Sequence, residues 1–359
     1  MHQNVYDQKG NLLLKEGYVL ESQKQLDSLQ DRGLYFLETS ASPDSDPILD
    51  EDVKKSSPFE ILDETYQELS TFYQNPRGQD FPYKIFQFCK NIQLAAELNA
   101  DAALGSLFLS KDRNYPVSHQ IHCALICEIL AKKWGGSPRD RLPLLAAGLT
   151  MNLGMIDLQE RLIIKEKITE DEKDLIRQHP IIGADLLQQY GVMDGTWLDI
   201  VLQHHEFKDG SGYPNGLQGE EISHFSQLLT IADVYCAKLS PRSYRTPLPP
   251  HIAARQIFTG FSGQNFDQEL VGIFVREFGL YHPGSLVRLA NGEIAVVTNR
   301  GEKIYHPALK SITRPDGLTK MVPSKRDCSK DEFKILDSPD PVKIKISINR
   351  HLIWDYWTG

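Results

Sequence analysis

Six segments between Phe59 and about residue 280 carry apolar residues spaced by three and four, which is the period of an amphipathic helix. The segments are FEILDETYQELSTFYQ, YKIFQFCKNIQLAAELNA, SHQIHCALICEILAKKWGG, RDRLPLLAAGLTMNLG, DEKDLIRQHPIIGADLLQQYG and HFSQLLTIADVYCAKL. Long helices joined by short loops predict an all-α bundle, which we place at residues 59–282.

Two smaller regions flank this bundle. In residues 1–38, VYDQKGNLLLKEGYVL predicts short strands and SQKQLDSLQDRGLYFL predicts a helix, so we expect a small α/β module. Residues 39–58 are rich in Ser, Pro and Asp, which is typical of a linker. In residues 283–359, SLVRLANGEIAVVTN alternates around an Asn-Gly turn and predicts a β extension. The last stretch, IKISINRHLIWDYWTG, suggests an added strand and an aromatic tail. The fold class is therefore mainly α.

Composition excludes several classes of function. A net charge of −9 over 359 residues argues against sequence-independent binding of nucleic acid. No apolar run reaches the ~18 residues of a membrane span, and MHQNVYDQKG lacks a signal-peptide pattern. The five cysteines form no C-x-x-C pair, which indicates reduced thiols. We expect a cytoplasmic protein.

Polar residues of the metal-ligand type recur on the predicted helices. A buried carboxylate such as Asp233, in LLTIADVYCAKL, costs several kcal/mol unless it is paired or bound to a cation. A metal ion in the bundle core, with ligands from several helices, would satisfy all of these residues. The alternative is that they are unrelated residues on helix faces. The candidates are His119, Asn152, His179, His204, His205 and Asp233.

The stretch HHEFKDGSGYPNGLQGEEI, residues 204–222, resembles the signature of HD-GYP domains, a branch of the HD phosphohydrolases that hydrolyses cyclic di-GMP. NADAALGSLFLSKDRNYPVSHQIHCALI, HPIIGADLL and LLTIADVYCAKL extend the resemblance over about residues 60–300. It implies an HD-type helical bundle with an iron or manganese di-metal centre. Its metal-ligand positions correspond to His119, His179, His204, His205 and Asp233. Its ligand-binding positions correspond to Asp209, Gly212, Tyr213, Pro214, Arg242 and Arg245, the arginines facing phosphates.

The sequence departs from the family's H-D-x-G-K motif, because LTMNLGM places Met151, Asn152 and Met155 at the His, Asp and Lys positions. A thioether is a poor ligand for iron(II) or manganese(II). The amide of Asn152 lacks the negative charge that bridges two dications in the family, and their repulsion at ~4 Å is several kcal/mol. We therefore expect one cation, on His179, His204 and His205, or none. Cys123, Cys127 and Cys236 would fill helix contacts, with thiolate ligation of a metal as the less favoured alternative.

We consequently predict a degenerate HD-GYP protein of cyclic di-GMP signalling, which binds this nucleotide or contacts a signalling protein and has impaired or absent catalysis. The GYP turn would offer an exposed apolar patch of Phe207, Tyr213 and Pro214 to that protein. The alternative is an active phosphodiesterase with an altered, mononuclear site. The sequence does not predict the oligomeric state.

Overall fold

A computed structural model describes residues 5–6, 12–14, 57–76, 80–109, 114–165, 167–240, 247–260, 265–301, 305–339, 344 and 346–356. The chain divides into two units, residues 1–49 and 50–359. In the first unit, the strands β1 (Val5–Tyr6) and β2 (Leu12–Leu14) pair antiparallel, in agreement with the predicted short strands. The helix predicted from SQKQLDSLQDRGLYFL lies outside the described residues.

The second unit begins with a helical bundle, and all six periodic segments are helical in it. The helices are α1 (Pro58–Gln74), α2 (Phe81–Leu109), α3 (Tyr115–Trp134), α4 (Pro138–Thr150), α5 (Ile156–Ile163), α6 (Glu170–Gln189), α7 (Gly195–Gln203), α8 (His224–Leu239), α9 (Pro250–Gly260) and α10 (Gln268–Phe278). The mainly α fold class is thereby confirmed. None of the described helices is long and apolar enough to cross a bilayer.

Side-chain caps set where these helices begin. Ser57 and Thr169 form capping boxes with the glutamates three residues later, at the starts of α1 and α6. Asp194 and Ser223 cap α7 and α8 by accepting backbone N–H groups. His204 and His205 directly follow α7, and Asp233 lies in α8. By setting where these helices begin, the caps help to position the three candidate ligands.

One helix of the bundle is interrupted. Asn99 in α2 has a non-helical backbone (φ −168°, ψ 97°), and its side-chain oxygen accepts the N–H of Ala102. Asn99 thus ends one helix and caps the next, so that α2 consists of two straight pieces. The second piece carries Asp101, whose carboxylate is 2.6 Å from Nε of Arg300, just after the second strand of the C-terminal sheet.

The C-terminal region forms a five-stranded antiparallel sheet of order β6-β5-β4-β3-β7. Its strands are β3 (Leu286–Leu289), β4 (Ile294–Asn299), β5 (Ala308–Thr313), β6 (Thr319–Arg326) and β7 (Ile335–Asp337). The hairpin predicted at the Asn-Gly turn is present as β3–β4, with Leu286 opposite Val296. Buried Glu293 in that turn is paired with Lys320 and Arg326 of β6.

The sheet packs on the bundle through a core that includes Phe59, Ala102, Leu286 and Trp354. The last described residues form a short helix, α11 (Arg350–Ile353), and among residues 344 and 346–349 there is no strand. The suggested extra strand is therefore wrong there. The tail instead folds back on α1, where Arg350 pairs with Asp63.

Candidate metal centre and cavity

Three histidines meet at the C-terminal end of α7 and the middle of α6. The Nδ1 atoms of His179 and His204 lie 2.5 Å from the Ile176 carbonyl oxygen and 2.6 Å from the Val201 carbonyl oxygen. Since a carbonyl only accepts hydrogen bonds, each Nδ1 carries the proton and each Nε2 holds a lone pair. These two Nε2 atoms face each other at 3.1 Å. Two acceptors cannot satisfy each other at that distance, so the pair is built for a shared cation.

The distance between the two Nε2 atoms fits a cation. With metal–nitrogen bonds of about 2.1 Å, two ligands lie roughly 3.0 Å apart at a right angle and roughly 3.4 Å apart at the tetrahedral angle. His205 completes the set, since the ligand atoms of His179, His204 and His205 all lie within 4.8 Å of one another. The residues present therefore fit one divalent cation.

Burial keeps these imidazoles neutral. Desolvation, and then the neighbouring His204, lowers the pKa of His179 to about 3. Desolvation also lowers the pKa of His204, and it holds the pKa of His205 well below its ordinary value, with His204 adding to the effect. Neutral imidazoles keep the lone pairs that metal ligation requires, so the three ligands are in the correct protonation state at neutral pH.

A second group of ligand atoms lies beside the first. His119 Nε2 is 2.8 Å from Asp233 Oδ1 and 3.7 Å from Cys123 Sγ. The other oxygen of Asp233 is 3.8 Å from His205 Nδ1, so this carboxylate reaches both groups. Burial alone would raise the pKa of Asp233, but the hydrogen bond and the charge of His119 outweigh it and the net pKa is lowered. Asp233 is therefore an anion at neutral pH.

A cavity of about 150 Å³ opens onto both groups. Its polar lining includes His119, His205, Tyr213 and Asp233, and Asn152 and Met155 also contribute to its wall. Drug-sized ligands occupy pockets of roughly 300–1,000 Å³. This cavity therefore has room for a small polar group rather than for a whole nucleotide. The described residues form a larger cavity, about 530 Å³, but it lies between the C-terminal sheet and α11, away from the histidines.

The loop that carries Gly212, Tyr213 and Pro214 is held by a buried carboxylate. Glu206 Oε1 accepts the N–H groups of Asn215 at 2.7 Å and Gly216 at 3.2 Å, and Oε2 accepts that of Leu217 at 3.0 Å. Glu206 has no exposed surface. The loop therefore closes around an anion, which places the Tyr213 ring on that of His205 with 4.7 Å between centroids.

Comparison with known proteins shows a similarity within the bundle, because residues 106–270 match the model of the HD domain family. The chain is 32% identical over 213 residues to a cyclic di-GMP phosphodiesterase of Pseudomonas aeruginosa, covering 58% of this chain and 51% of that protein. It is 32% identical over 155 residues to the cyclic di-GMP phosphodiesterase response regulator RpfG of Xanthomonas campestris, covering 42% of this chain and 40% of RpfG.

A solved structure supports the same fold. Bd1817, a HDG"Y"P protein from Bdellovibrio bacteriovorus, superposes with a TM-score of 0.52 at 18% identity, covering 76% of this chain and 92% of Bd1817. The chain spans about half or less of the length of the two curated relatives. A third relative, a 3'3'-cGAMP-specific phosphodiesterase of Vibrio cholerae, is 29% identical over 136 residues, or 38% of this chain and 29% of that protein. The chain is thus similar to proteins that are named for two different cyclic dinucleotides.

The three positions at which the sequence predicts a departure from the H-D-x-G-K motif have different surroundings. Met151 is fully buried in the main hydrophobic core and is not among the residues that line the cavity. Asn152 and Met155 do line it. Between them, Gly154 passes so close to α6 that a Cβ there would lie 2.4 Å from the His179 carbonyl oxygen. The turn therefore holds Asn152 at the wall of the cavity that His119 and His205 also line, while Met151 belongs to the core.

The predicted ligand-binding residues are not all brought together. Tyr213 lines the cavity, whereas Asp209, Gly212 and Pro214 do not. Asp209 is exposed and accepts the N–H and the hydroxyl of Ser211, so it stabilises a turn. A Cβ at Gly212 would lie 2.5 Å from the His205 carbonyl oxygen, which explains the glycine. Arg242 and Arg245 lie outside the described residues.

The structure corrects the predicted apolar patch on the GYP turn. Phe207, Tyr213 and Pro214 are all half-buried. Phe207 packs against the core, with its ring 5.8 Å from that of Phe266, and the ring of Tyr213 stacks on His205. These side chains are turned inward because they close the loop over the histidines. His282 lies in the loop before β3 and is buried, with a ring centroid 4.3 Å from that of Phe108.

Proposed function

We propose that this protein is a cyclic di-GMP-responsive regulator that has impaired or absent catalysis and holds one divalent cation on His179, His204 and His205. The observation that carries the proposal is the facing pair of Nε2 lone pairs of His179 and His204, 3.1 Å apart. Their neighbour His205 lines a cavity whose wall also has the neutral amide of Asn152. The HD-GYP resemblance makes the cation iron or manganese. When bound, the cation supplies positive charge for an anionic oxygen.

The ligand assignment rests on the relatives and on the size of the cavity. Two of the relatives described above are named for cyclic di-GMP. A cavity of about 150 Å³ fits one phosphodiester group, so the two guanines of the ligand would lie at its mouth. There the Tyr213 ring, already stacked on His205, limits the approach. Residues 241–246, which follow α8 and include both arginines, are the predicted source of phosphate contacts.

Impaired catalysis follows from what the side chains at positions 152 and 155 lack. Asn152 has no negative charge to hold a second dication next to the first. Met155 presents a thioether to the cavity in place of an ammonium group, so it cannot stabilise charge that develops on a phosphodiester. The HD-GYP resemblance assigns both missing groups to the hydrolytic step, so we infer that their loss impairs hydrolysis more than binding of the nucleotide. The site thus favours a bound state over turnover.

The test combines metal content, binding and turnover on the full chain. The protein is loaded anaerobically with Fe²⁺ or Mn²⁺, metal is measured by mass spectrometry, cyclic di-GMP binding by calorimetry, and hydrolysis by chromatography. We expect one tightly bound iron or manganese ion per chain, measurable binding and no product at the rate of an intact relative. His179→Ala should lose that ion, while His306→Ala, an exposed histidine of the C-terminal region, should retain it.

The alternative, an active mononuclear phosphodiesterase, is decided by the same experiment. Linear or monomeric guanosine products at a rate comparable with the relative, abolished by His205→Ala, would establish the alternative and overturn the regulator. The triple variant Met151→His, Asn152→Asp and Met155→Lys should gain activity if those positions cause the impairment. Contact with a signalling protein through the GYP turn, and a cytoplasmic location, stay predictions.

A further inference from the structure

The second group of ligand atoms, His119, Cys123 and Asp233, includes a donor that the HD-GYP resemblance does not provide. We propose that these three residues form a separate site for a thiophilic divalent cation of the zinc class. The site is defined by the ligand atoms of the three residues, which all lie within 4.8 Å of one another. The proposal goes beyond the regulatory function, because it does not depend on cyclic di-GMP binding and uses none of the three histidines as a ligand, although Asp233 also lies 3.8 Å from His205.

The positions of the atoms suit such a cation. With zinc–sulfur and zinc–nitrogen bonds of about 2.3 and 2.05 Å, tetrahedral geometry separates the sulfur and nitrogen by roughly 3.6 Å. Cys123 Sγ and His119 Nε2 are 3.7 Å apart. His119 Nε2 and Asp233 Oδ1, at 2.8 Å, now share a proton. If that proton is lost and these two atoms move apart by a few tenths of an ångström, His119, Cys123 and Asp233 provide three protein ligands. A fourth coordination position then stays open.

The residues are held in this arrangement by helix packing. His119 and Cys123 are four residues apart on α3, so their side chains project from the same face, one turn apart. Asp233 projects from α8, which packs along α3. His119 and Cys123 are buried, and the ring of Tyr115 stacks on His119 with 5.2 Å between centroids. The site therefore requires only small changes in side-chain position.

Charge explains why a thiolate is needed here. The resemblance implies a bridging carboxylate at position 152, and the neutral amide of Asn152 removes that charge. Burial raises the pKa of the Cys123 thiol well above its ordinary value, so this thiol would lose its proton only as the cation binds. The thiolate together with Asp233 would then supply two negative charges, which balance one dication. Soft thiolate donors also select zinc over manganese or iron(II) in mixed sites of this kind. The chain thus carries, one helical turn from His119, the donor that restores the lost anion.

The test uses Co²⁺ as a spectroscopic substitute for zinc on the metal-free full chain, kept anaerobic. A cobalt–thiolate bond gives a charge-transfer band in the near ultraviolet that imidazole and carboxylate ligands do not produce. We expect the intensity of the band to reach a plateau that corresponds to one cobalt–thiolate site per chain. The band should disappear when Zn²⁺ is added and should be absent from Cys123→Ala. Cys127→Ala, which removes a buried thiol of the same helix outside the ligand group, should retain the band in full.

Two further measurements keep the result decisive. X-ray absorption of the zinc-loaded wild type should show one sulfur ligand, which removes any dependence on whether Cys123→Ala folds. His179→Ala should keep the cobalt–thiolate band. This variant therefore distinguishes loss of metal binding at the three-histidine site from loss of metal binding at His119, Cys123 and Asp233. No band in the wild type, or a band that survives in folded Cys123→Ala, would overturn the proposal.

Discussion

Glu206→Gln tests whether the buried carboxylate is what closes the GYP loop. In the wild type, one carboxylate oxygen accepts two backbone N–H groups and the other accepts the N–H of Leu217 at 3.0 Å. Glutamine keeps the first oxygen but turns an NH₂ group toward the N–H of Leu217. One acceptor is lost and two donors face each other in a buried site.

The expected cost follows from typical hydrogen-bond energies. A hydrogen bond to a charged group contributes about 1.5–3 kcal/mol, and a buried unsatisfied donor costs about 1–3 kcal/mol. Since the glutamine oxygen retains part of the network, we expect the free energy of opening the loop to fall by about 2–4 kcal/mol. Every 1.4 kcal/mol is a factor of about ten, so exchange of the amides of residues 215–217 should accelerate roughly thirty- to several-hundredfold.

Hydrogen–deuterium exchange of the peptide spanning residues 205–219 measures this directly. Glu220→Gln is the matched control, because Glu220 belongs to the same loop region but is exposed and lies 3.4 Å from Lys208. An exposed ion pair of this kind contributes about 0.2–1 kcal/mol, so the control should exchange almost like the wild type. Equal exchange in the two variants would refute a structural role for Glu206.

Three further predictions concern the core, the sheet and the metal centre. Glu128→Ala should lower the free energy of unfolding by about 3–5 kcal/mol in chemical denaturation, because it leaves Arg141 buried without its partner at 2.8 Å; a loss below about 1 kcal/mol would contradict this. The Arg326 hydrogen bond, outweighing burial, lowers the pKa of Glu293 from 4.5 to about 2, so its stabilisation is complete above pH 4.5 and is lost as the pH falls toward 2. Glu293→Gln should flatten acid unfolding curves in that window, and an unchanged slope would count against the pairing. Gly154→Ala should weaken Mn²⁺ binding in calorimetry roughly tenfold or more by displacing His179. An unchanged affinity would show that the turn moves to accommodate the methyl group without displacing His179.

The helical bundle was predictable because helix periodicity is a local property. Each periodic segment forms a helix, and the Asn-Gly turn forms its hairpin. The sequence pattern did not indicate the interruption of α2 at Asn99, because YKIFQFCKNIQLAAELNA has continuous helical periodicity. The structure relates the break to the packing of the sheet on the second piece of α2. The C-terminal tail was mistaken for a strand because its alternation, IKISI, is also compatible with an extended segment that packs along the core.

The candidate ligands could be located from sequence, but their environment could not. Residues of this type are rare in apolar helices, which is why the sequence pointed to His179, His204, His205 and Asp233. The structure brings these four residues close together. Glu206 was overlooked as an anchor, since its partners come nine to eleven residues later and depend on the path of the loop. A glutamate directly after two buried histidines, followed by a glycine-rich turn, is the signal that could have revealed it.

The two ligand groups respond differently to the loss of a carboxylate at position 152. In the first group, His179 and His204 are oriented by the carbonyls of Ile176 and Val201, three residues earlier on their own helices. That orientation is local and neutral, so the loss of negative charge at position 152 leaves it intact. The second group depends on charge, because its cation would lie next to the first dication. With Asn152 neutral, it can take a cation only if another anion is supplied, and Cys123 is the buried donor at that place. We therefore expect two consequences of the neutral amide at position 152. The three-histidine site keeps its geometry, and a cation at the second group binds the Cys123 thiolate, which the cobalt–thiolate band reports.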